Sequence, residues 1–102
     1  MSANPARGEA EIKVAGEALR LRPTFAALVA AEEELGPLFA LVERAADGGL
    51  TLAELVALFW HCVDLRPEGL TRERFGESLA GQGLAAMTPA LRILLQQILQ
   101  GR

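Results

Sequence analysis

The polarity pattern near the start of the chain predicts a β-hairpin. Charged and apolar residues alternate through residues 9–14 and again through residues 18–22, with Gly16 between the two runs. A period of two is typical of half-buried strands. A turn centred on Ala15 and Gly16 gives these cross-strand pairs: Ala10 with Leu21, Glu11 with Arg20, Ile12 with Leu19 and Glu9 with Arg22. Apolar pairs then share one face and opposite charges the other, so we expect the apolar face to pack on helices.

Four or five helices are predicted after the hairpin, because apolar residues recur there at three- and four-residue intervals. Threonine caps and glycine or proline breaks give their bounds as residues 25–35, 38–46, 51–65, 72–80 and 90–100. In the first helix we expect a buried stripe made of Phe25, Leu28, Val29 and Leu35. Residues 81–87 are expected to form a loop or a loose helical turn, and Thr88 is expected to cap the last helix.

The central helix, residues 51–65, is the most apolar of these segments. It begins with a capping box, in which Thr51 and Glu54 each satisfy a backbone N–H group at the helix start. One-face spacing predicts a buried face made of Leu52, Leu55, Val56, Phe59 and Val63. Other apolar residues lie off that face, so the helix is apolar nearly all round and is expected to be covered on several sides.

These elements predict one α+β domain that is mostly α, with an N-terminal β-hairpin packed on a compact bundle of four or five short helices. We expect a flexible tail at residues 1–8 and a single domain at residues 9–102. The hairpin falls in residues 9–22 and the helices fall within residues 24–100. A chain of 102 residues can bury roughly two-thirds of its unfolded surface, which is enough for one core without disulfides or metals.

Composition and charge disfavour several classes of partner. Thirteen acidic residues against ten basic ones give a net charge of -3 without a basic cluster, so we expect no nucleic acid. Uninterrupted apolar runs such as residues 55–60 are far shorter than the roughly 20 residues that span a bilayer, so we expect no membrane partner. A single cysteine allows no intrachain disulfide and suits a cytoplasmic protein. Abundant alanine, and arginine at nine of the ten basic positions, suggest a GC-rich bacterial genome.

The sequence contains no convincing catalytic or metal-binding constellation. His61 and Cys62 are the only histidine and cysteine, and neighbours on a helix project in different directions, so they do not form a nucleophile–base pair. They also supply too few ligands for zinc. Residues 47–54 have the glycine and glutamate spacing of a calcium loop, but Ala45 then occupies a position that needs an oxygen ligand. The acidic residues 32–34 are interpreted as a solvated helix face. We therefore expect no enzyme, no cofactor and no metal ion.

Apolar residues that lie off the main helical stripes are the candidates for partner binding. Phe39 lies beside the stripe of the second helix, and Leu58 and Trp60 lie beside that of the central helix. In one interpretation the surrounding helices simply bury these side chains. In the other they line an apolar docking groove, since aromatic anchors dominate protein interfaces. The free edge of the hairpin offers a second docking mode, in which a partner adds a strand.

Residues at the hairpin and at the helix starts also carry a family resemblance. They are Arg7-Gly-Glu-Ala-Glu-Ile-Lys-Val14, Gly16, Leu19-Arg-Leu21, Thr24-Phe-Ala-Ala-Leu28, Ala31-Glu32, Leu35-Gly36 and Gly49-Leu-Thr-Leu-Ala-Glu-Leu55. With these residues the chain resembles small proteins of gene transfer agents and prophages, the GTA-type tail proteins or phage tail assembly chaperones. Residues 7–65 carry the resemblance, and the rest of the chain agrees in length and helical character. The family transfers no catalytic residue.

The resemblance implies a non-enzymatic role in building a phage-like tail. The main expectation is a chaperone that shields the tape-measure protein while the tail forms. The alternative is a structural, tube-associated subunit of a prophage or gene transfer agent particle. The expected partner is a tape-measure or tail tube protein, homo-oligomerisation stays open, and the location is the bacterial cytoplasm or the particle. A small helical DNA-binding regulator is a third alternative, which the net charge of -3 disfavours.

Overall fold

The computed structural model describes residues 8–101, which begin with an antiparallel β-hairpin. Strand β1 is Ala10–Val14 and strand β2 is Glu17–Leu21. The predicted register is confirmed: Ala10 pairs with Leu21, Glu11 with Arg20 and Ile12 with Leu19. The alternation of charged and apolar residues therefore fixed which side chains face the helices.

The turn and the start of the hairpin also follow the sequence prediction. Ala15 and Gly16 both have positive φ, 52° and 84°, as in the two-residue turn whose twist matches that of the strands. The expected charge pair at the open end forms, with Arg22 Nε 3.3 Å from Glu9 Oε2. The predicted flexible tail falls mostly on residues 1–7, which lie outside the described residues. Gly8, its last residue, is buried.

Five α-helices follow within the described residues: α1 Phe25–Leu35, α2 Leu38–Ala46, α3 Leu52–Cys62, α4 Arg72–Gln82 and α5 Thr88–Gln100. The fold is α+β and mostly α, as predicted. Thr24, Thr51 and Thr71 cap α1, α3 and α4, each accepting a backbone N–H at 3.1 Å. The predicted cap at Thr88 is wrong, because a 3-10 helix, Leu84–Met87, runs directly into α5 and makes Thr88 the first helical residue.

The core lies between the apolar face of the hairpin and the helices, with α3 at its centre. α3 packs against α1 and α4, while β1 packs against α4 and α5. The largest fully buried side chains are Phe59, Phe75, Leu21, Leu41, Leu58, Leu79, Leu94 and Cys62. They come from β2 and from every α-helix except α1. Each large apolar side chain contributes about 1.5–3 kcal/mol when it leaves water, so this cluster joins the hairpin to the helices.

The buried face of α3 differs from the predicted one. Leu55 and Phe59 are buried as expected, but Leu52 is 42% exposed. Leu58 and Cys62, which the spacing placed off the face, are fully buried. Spacing could not choose the face, because α3 is apolar nearly all round. Contacts with α1 on one side and α4 on another select it instead.

The predicted buried stripe of α1 is wrong at two positions. Phe25 is 85% exposed and Val29 is 39% exposed, whereas Ala31 is fully buried. Leu28 and Leu35 are partly buried against the core, as expected. α1 packs mainly on α3, and Ala31 is the one residue of α1 that is buried. Since α1 is rich in alanine, its apolar spacing fits more than one face, and the tertiary contact selects among them.

The residues that follow α3 pair with the outer edge of β2. The backbone N–H of Arg22 donates to the carbonyl of Cys62 at 2.7 Å, and the N–H of Asp64 donates to the carbonyl of Arg20 at 2.9 Å. The Arg20 side chain also binds the Asp64 carboxylate, with Nε 3.1 Å from Oδ2. The hairpin edge that the sequence suggested was free is therefore occupied over residues 20–22. This contact is non-local, so local polarity patterns do not reveal it.

Candidate interaction surface

Two of the four phenylalanines project into solvent, and both lie in the first turn of a helix. Phe25 is 85% exposed and Phe39 is 78% exposed, whereas Phe59 and Phe75 are fully buried. Helical side chains tilt toward the N-terminus of their helix, so a first-turn side chain extends past the helix end. Phe25 directly follows the Thr24 cap, which fixes this overhanging position.

The exposed side of α1 carries apolar and acidic side chains. Val29 lies one turn after Phe25, and the exposed residues Glu32 and Glu33 continue that side one turn further on. We call these four residues the α1 surface. Its first half offers apolar area to a partner and its second half offers negative charge. Exposed aromatic area next to a charged rim is the composition expected of a protein-binding site.

The three residues that the sequence proposed for partner binding lie in different environments. Phe39 is exposed on α2, Leu58 is fully buried in the core, and Trp60 is half-buried on α3. Leu58 and Trp60 are two positions apart on one helix, so their side chains project to different sides. The prediction missed Phe25 as a candidate contact. The signal that could have found it is its place immediately after the Thr24 cap.

Trp60 is packed inside the domain on two sides. Its ring meets the ring of Phe75 edge-on, with centroids 5.4 Å apart and an interplanar angle of 62°. The guanidinium of Arg66 lies 4.1 Å from the ring centroid, and Arg66 Nη2 donates to the Trp60 carbonyl at 3.0 Å. Cation–π contacts of this kind contribute about 0.5–1 kcal/mol at exposed sites. A partner that covered this ring face would have to displace Arg66.

Glu34, the last glutamate of α1, joins three helices. Its carboxylate accepts a hydrogen bond from Arg72 Nη1 of α4 at 2.9 Å and lies 2.8 Å from Nε2 of His61 on α3. The hydrogen bond from Arg72, followed by that from His61, lowers the pKa of Glu34 from its ordinary 4.5 to about 2. Glu34 therefore has a structural role and is not simply part of a solvated acidic face.

Cys62 lies in the core, where burial raises the pKa of its thiol from 9.0 to about 12. The thiol is therefore protonated and unreactive at neutral pH. Across residues 8–101, no three or more histidine, cysteine, aspartate or glutamate side chains are grouped so that they could hold a metal ion. The helices in this part of the chain are too short or too polar to span a bilayer.

A protein-family model matches the chain over nearly its whole length. The model is described as "Phage tail tube protein, GTA-gp10" and covers residues 7–101, so it confirms the family resemblance carried by residues 7–65. No curated protein and no solved structure matches the chain significantly. The match extends from the hairpin through α5, including the helices that the resemblance covered only by their character. The chain therefore belongs to the family of phage tail tube proteins described as GTA-gp10.

Proposed function

We propose that the protein is a structural component of a phage-like tail and stays associated with the tail tube in the finished particle. The family match over residues 7–101 carries this proposal, because its description names a tail tube protein. That description supports the structural alternative better than the tape-measure chaperone that was the main expectation from the sequence. The proposed role is non-enzymatic, with neighbouring tail proteins as partners.

The exposed aromatic side chains support a protein-binding role of this kind. Phe25 and Phe39 are the most exposed of the aromatic side chains, and aromatic residues are enriched at interfaces. Burying one phenylalanine on association contributes roughly 1.5–3 kcal/mol before the entropic cost of association, so the two together would supply a large part of the binding energy of one contact. We include both in the proposed contact. Trp60 would contribute through the exposed part of its ring, and Leu58 through support from the core.

The composition of purified particles tests the proposal. Particles are separated from cell lysate, and the amounts of this protein and of the main tube protein are measured by quantitative mass spectrometry. A structural component is expected at a fixed ratio to the tube protein in independent preparations. Absence from the particles, together with co-purification with the tape-measure protein before assembly, would support the chaperone and overturn the proposal.

Matched variants test the proposed contact residues. We expect the double change Phe25→Ser and Phe39→Ser to lower the amount of protein in particles by roughly tenfold or more, because both anchors are lost. Leu99→Ser on α5 is the control, since Leu99 is also half-exposed, at 53%. Denaturant unfolding should show that all variants keep their fold. Equal amounts of the two variants in the particles would show that the two phenylalanines are not part of the interface.

A further inference from the structure

The outer edge of β2 is only partly covered. Alternate residues of β2 direct their backbone groups away from β1, and Arg20 and Arg22 use theirs to bind residues 62–64. Ala18 is the next such residue toward the turn. Within residues 8–101 its N–H and C=O groups have no hydrogen-bond partner, and the residue is exposed. Such an unpaired pair of groups is a template for another extended chain.

Leu65 ends the pairing before it reaches Ala18. Its φ of 56° is left-handed, a conformation that costs a non-glycine residue about 1–2 kcal/mol, and it turns the chain away from β2. The Leu65 side chain is 83% exposed beside this edge. The pairing with β2 therefore stops short of Ala18, at a residue with a strained backbone and an exposed side chain.

An apolar cavity lies beside this open edge, between β2 and the loop that leads to α4. Its volume is about 290 Å³. The apolar wall consists of Val14, Leu19, Pro67 and Leu70. Small-molecule sites usually measure about 300–1,000 Å³, so this cavity suits one or two side chains better than a cofactor. Successive side chains on a strand point to opposite faces of the sheet. Leu19 therefore points to the face opposite that of Ala18, and the cavity lies on the Leu19 face.

From this geometry we propose that the edge at Ala18 binds an extended segment of a partner polypeptide by short β-strand addition. The residue that pairs with Ala18 exchanges backbone hydrogen bonds with it. The next residue along the partner directs an apolar side chain into the cavity beside Leu19. The cavity rim carries Glu17 and Glu68 against Arg74, a net charge of -1, which favours lysine or arginine next to the apolar anchor. This surface is separate from the α1 surface, and the proposal does not depend on the proposed function.

A second copy of the chain does not fit the edge through its own β2. Antiparallel pairing centred on Ala18 would place the turn of the second copy opposite Arg20, where Asp64 is already hydrogen-bonded. The occupant must therefore turn away or end at Leu65. A flexible or terminal segment of a different protein meets this condition.

A peptide titration followed by NMR tests the proposal on the full chain. The probe is an acetylated and amidated pentapeptide with leucine at its centre, threonine on either side and lysine at both ends. We expect saturable amide shifts at Ala18, Leu19 and Leu70, and slower hydrogen exchange at the Ala18 amide. A second pentapeptide with glutamate in place of both lysines is expected to bind less tightly. No saturable shift up to several millimolar peptide, or shifts centred on α1, would overturn the proposal.

Proline substitutions separate strand addition from nonspecific binding. Ala18→Pro removes the outward N–H, and an edge strand tolerates proline where its N–H faces solvent. We expect it to weaken binding of the lysine peptide by roughly tenfold, since one of the backbone hydrogen bonds is lost. Lys13→Pro is the matched control, because Lys13 is the cross-strand neighbour of Ala18 and its N–H points to the other edge. Equal binding by the two variants would contradict strand addition. If Ala18→Pro does not fold, the hydrogen exchange of the Ala18 amide in the original chain decides.

Discussion

Helices α1 and α3 have the same length and the same kind of N-cap, but they lie in opposite environments. Each has eleven residues and begins after a threonine whose hydroxyl accepts a backbone N–H at 3.1 Å. α3 buries five residues, including Leu58 and Phe59, whereas α1 buries only Ala31. The difference follows from their neighbours: α3 is packed between α1 and α4, while α1 packs mainly on α3 alone.

The phenylalanines that stabilise the fold and those that are available to a partner lie on different helices. Phe59 and Phe75 are fully buried on α3 and α4, while Phe25 and Phe39 are exposed on α1 and α2. The same side chain therefore contributes to folding in one half and is available to a partner in the other. A helix that is apolar nearly all round is a core element only where other elements cover it. Phe25 and Val29 of α1 remain exposed because nothing in the described chain covers the outer side of this helix.

The largest expected effect is on stability, and it distinguishes truncation of Phe59 in α3 from truncation of Phe25 in α1. Phe59→Ala should lower the free energy of unfolding by about 3–5 kcal/mol, because it leaves a cavity at the centre of the core. Phe25→Ala should change it by less than about 0.5 kcal/mol, because its side chain is already in solvent. Urea unfolding followed by circular dichroism measures both. Similar decreases in the free energy of unfolding for the two variants would show that Phe25 is buried in solution, and would contradict the difference between α1 and α3.

Enlarging a small side chain tests how closely α1 approaches α3. Ala31→Leu should lower the free energy of unfolding by about 1–3 kcal/mol, because Ala31 is fully buried and three more carbons would overpack its surroundings. Ala26→Leu, on the exposed side of the same helix, is the control and should be nearly neutral. A neutral Ala31→Leu would mean that α1 can shift on α3 without loss, so its position would not be set by that alanine.

Threonine caps give a smaller and graded effect. At α3 the cap is reciprocal, because Thr51 Oγ1 accepts the N–H of Glu54 and the Thr51 N–H donates to Glu54 Oε1 at 3.0 Å. Thr51→Ala should therefore cost about 1–2 kcal/mol and Thr24→Ala about 0.5–1 kcal/mol. Thr88→Ala is the control, since Thr88 makes no side-chain cap to α5. Thermal unfolding should rank the three variants in this order, and a larger loss at Thr24 would contradict it.

Local patterns predicted the elements, but the helix faces required tertiary contacts. The hairpin register followed from alternation and charge, because a shift by one residue would have placed Ile12 and Leu19 on the wrong face. Helix starts followed from threonine caps at Thr24, Thr51 and Thr71. The outward position of Phe25 did not follow from spacing, since alanine-rich α1 offers several apolar faces.

The state of the β2 edge was not predictable from local patterns, because it depends on residues that are distant in the sequence. Asp64 covers the edge of β2 at Arg20, and Leu65 leaves that edge with a positive φ. Neither residue stands out in the sequence, because a non-local pairing carries no periodic signal. A left-handed leucine has no sequence signature either, since glycine is the residue that normally adopts this conformation. The open edge at Ala18 therefore appears only once the chain is folded.

The smallest expected effect concerns Glu34, the residue that ties α1 to both α3 and α4. Its pKa is lowered from 4.5 to about 2 by the hydrogen bond from Arg72 and then by that from His61, so the folded state favours the charged carboxylate. This stabilisation is fully present above pH 4.5 and is lost as the pH falls toward 2. The Glu34 side chain is 38% exposed, so solvent screening should keep the contribution below about 1 kcal/mol.

Glu34→Gln tests this contribution and the attachment of α1 together. At pH 6 the variant should be less stable than the original chain by a few tenths to about 1 kcal/mol, and the difference should shrink as the pH falls through about 2. Glu33→Gln is the control, because Glu33 is exposed on the same helix and has no ion pair within residues 8–101. Added salt should reduce the Glu34 effect at pH 6, since exposed ion pairs are screened.

Hydrogen exchange tests whether Glu34→Gln also loosens the attachment of α1. If it does, the Ala31 amide should exchange faster while the Phe59 amide in α3 keeps its protection. Equal acceleration at both amides would show that α1 and α3 unfold as one unit, so the two helices would differ in exposure but not in cooperativity.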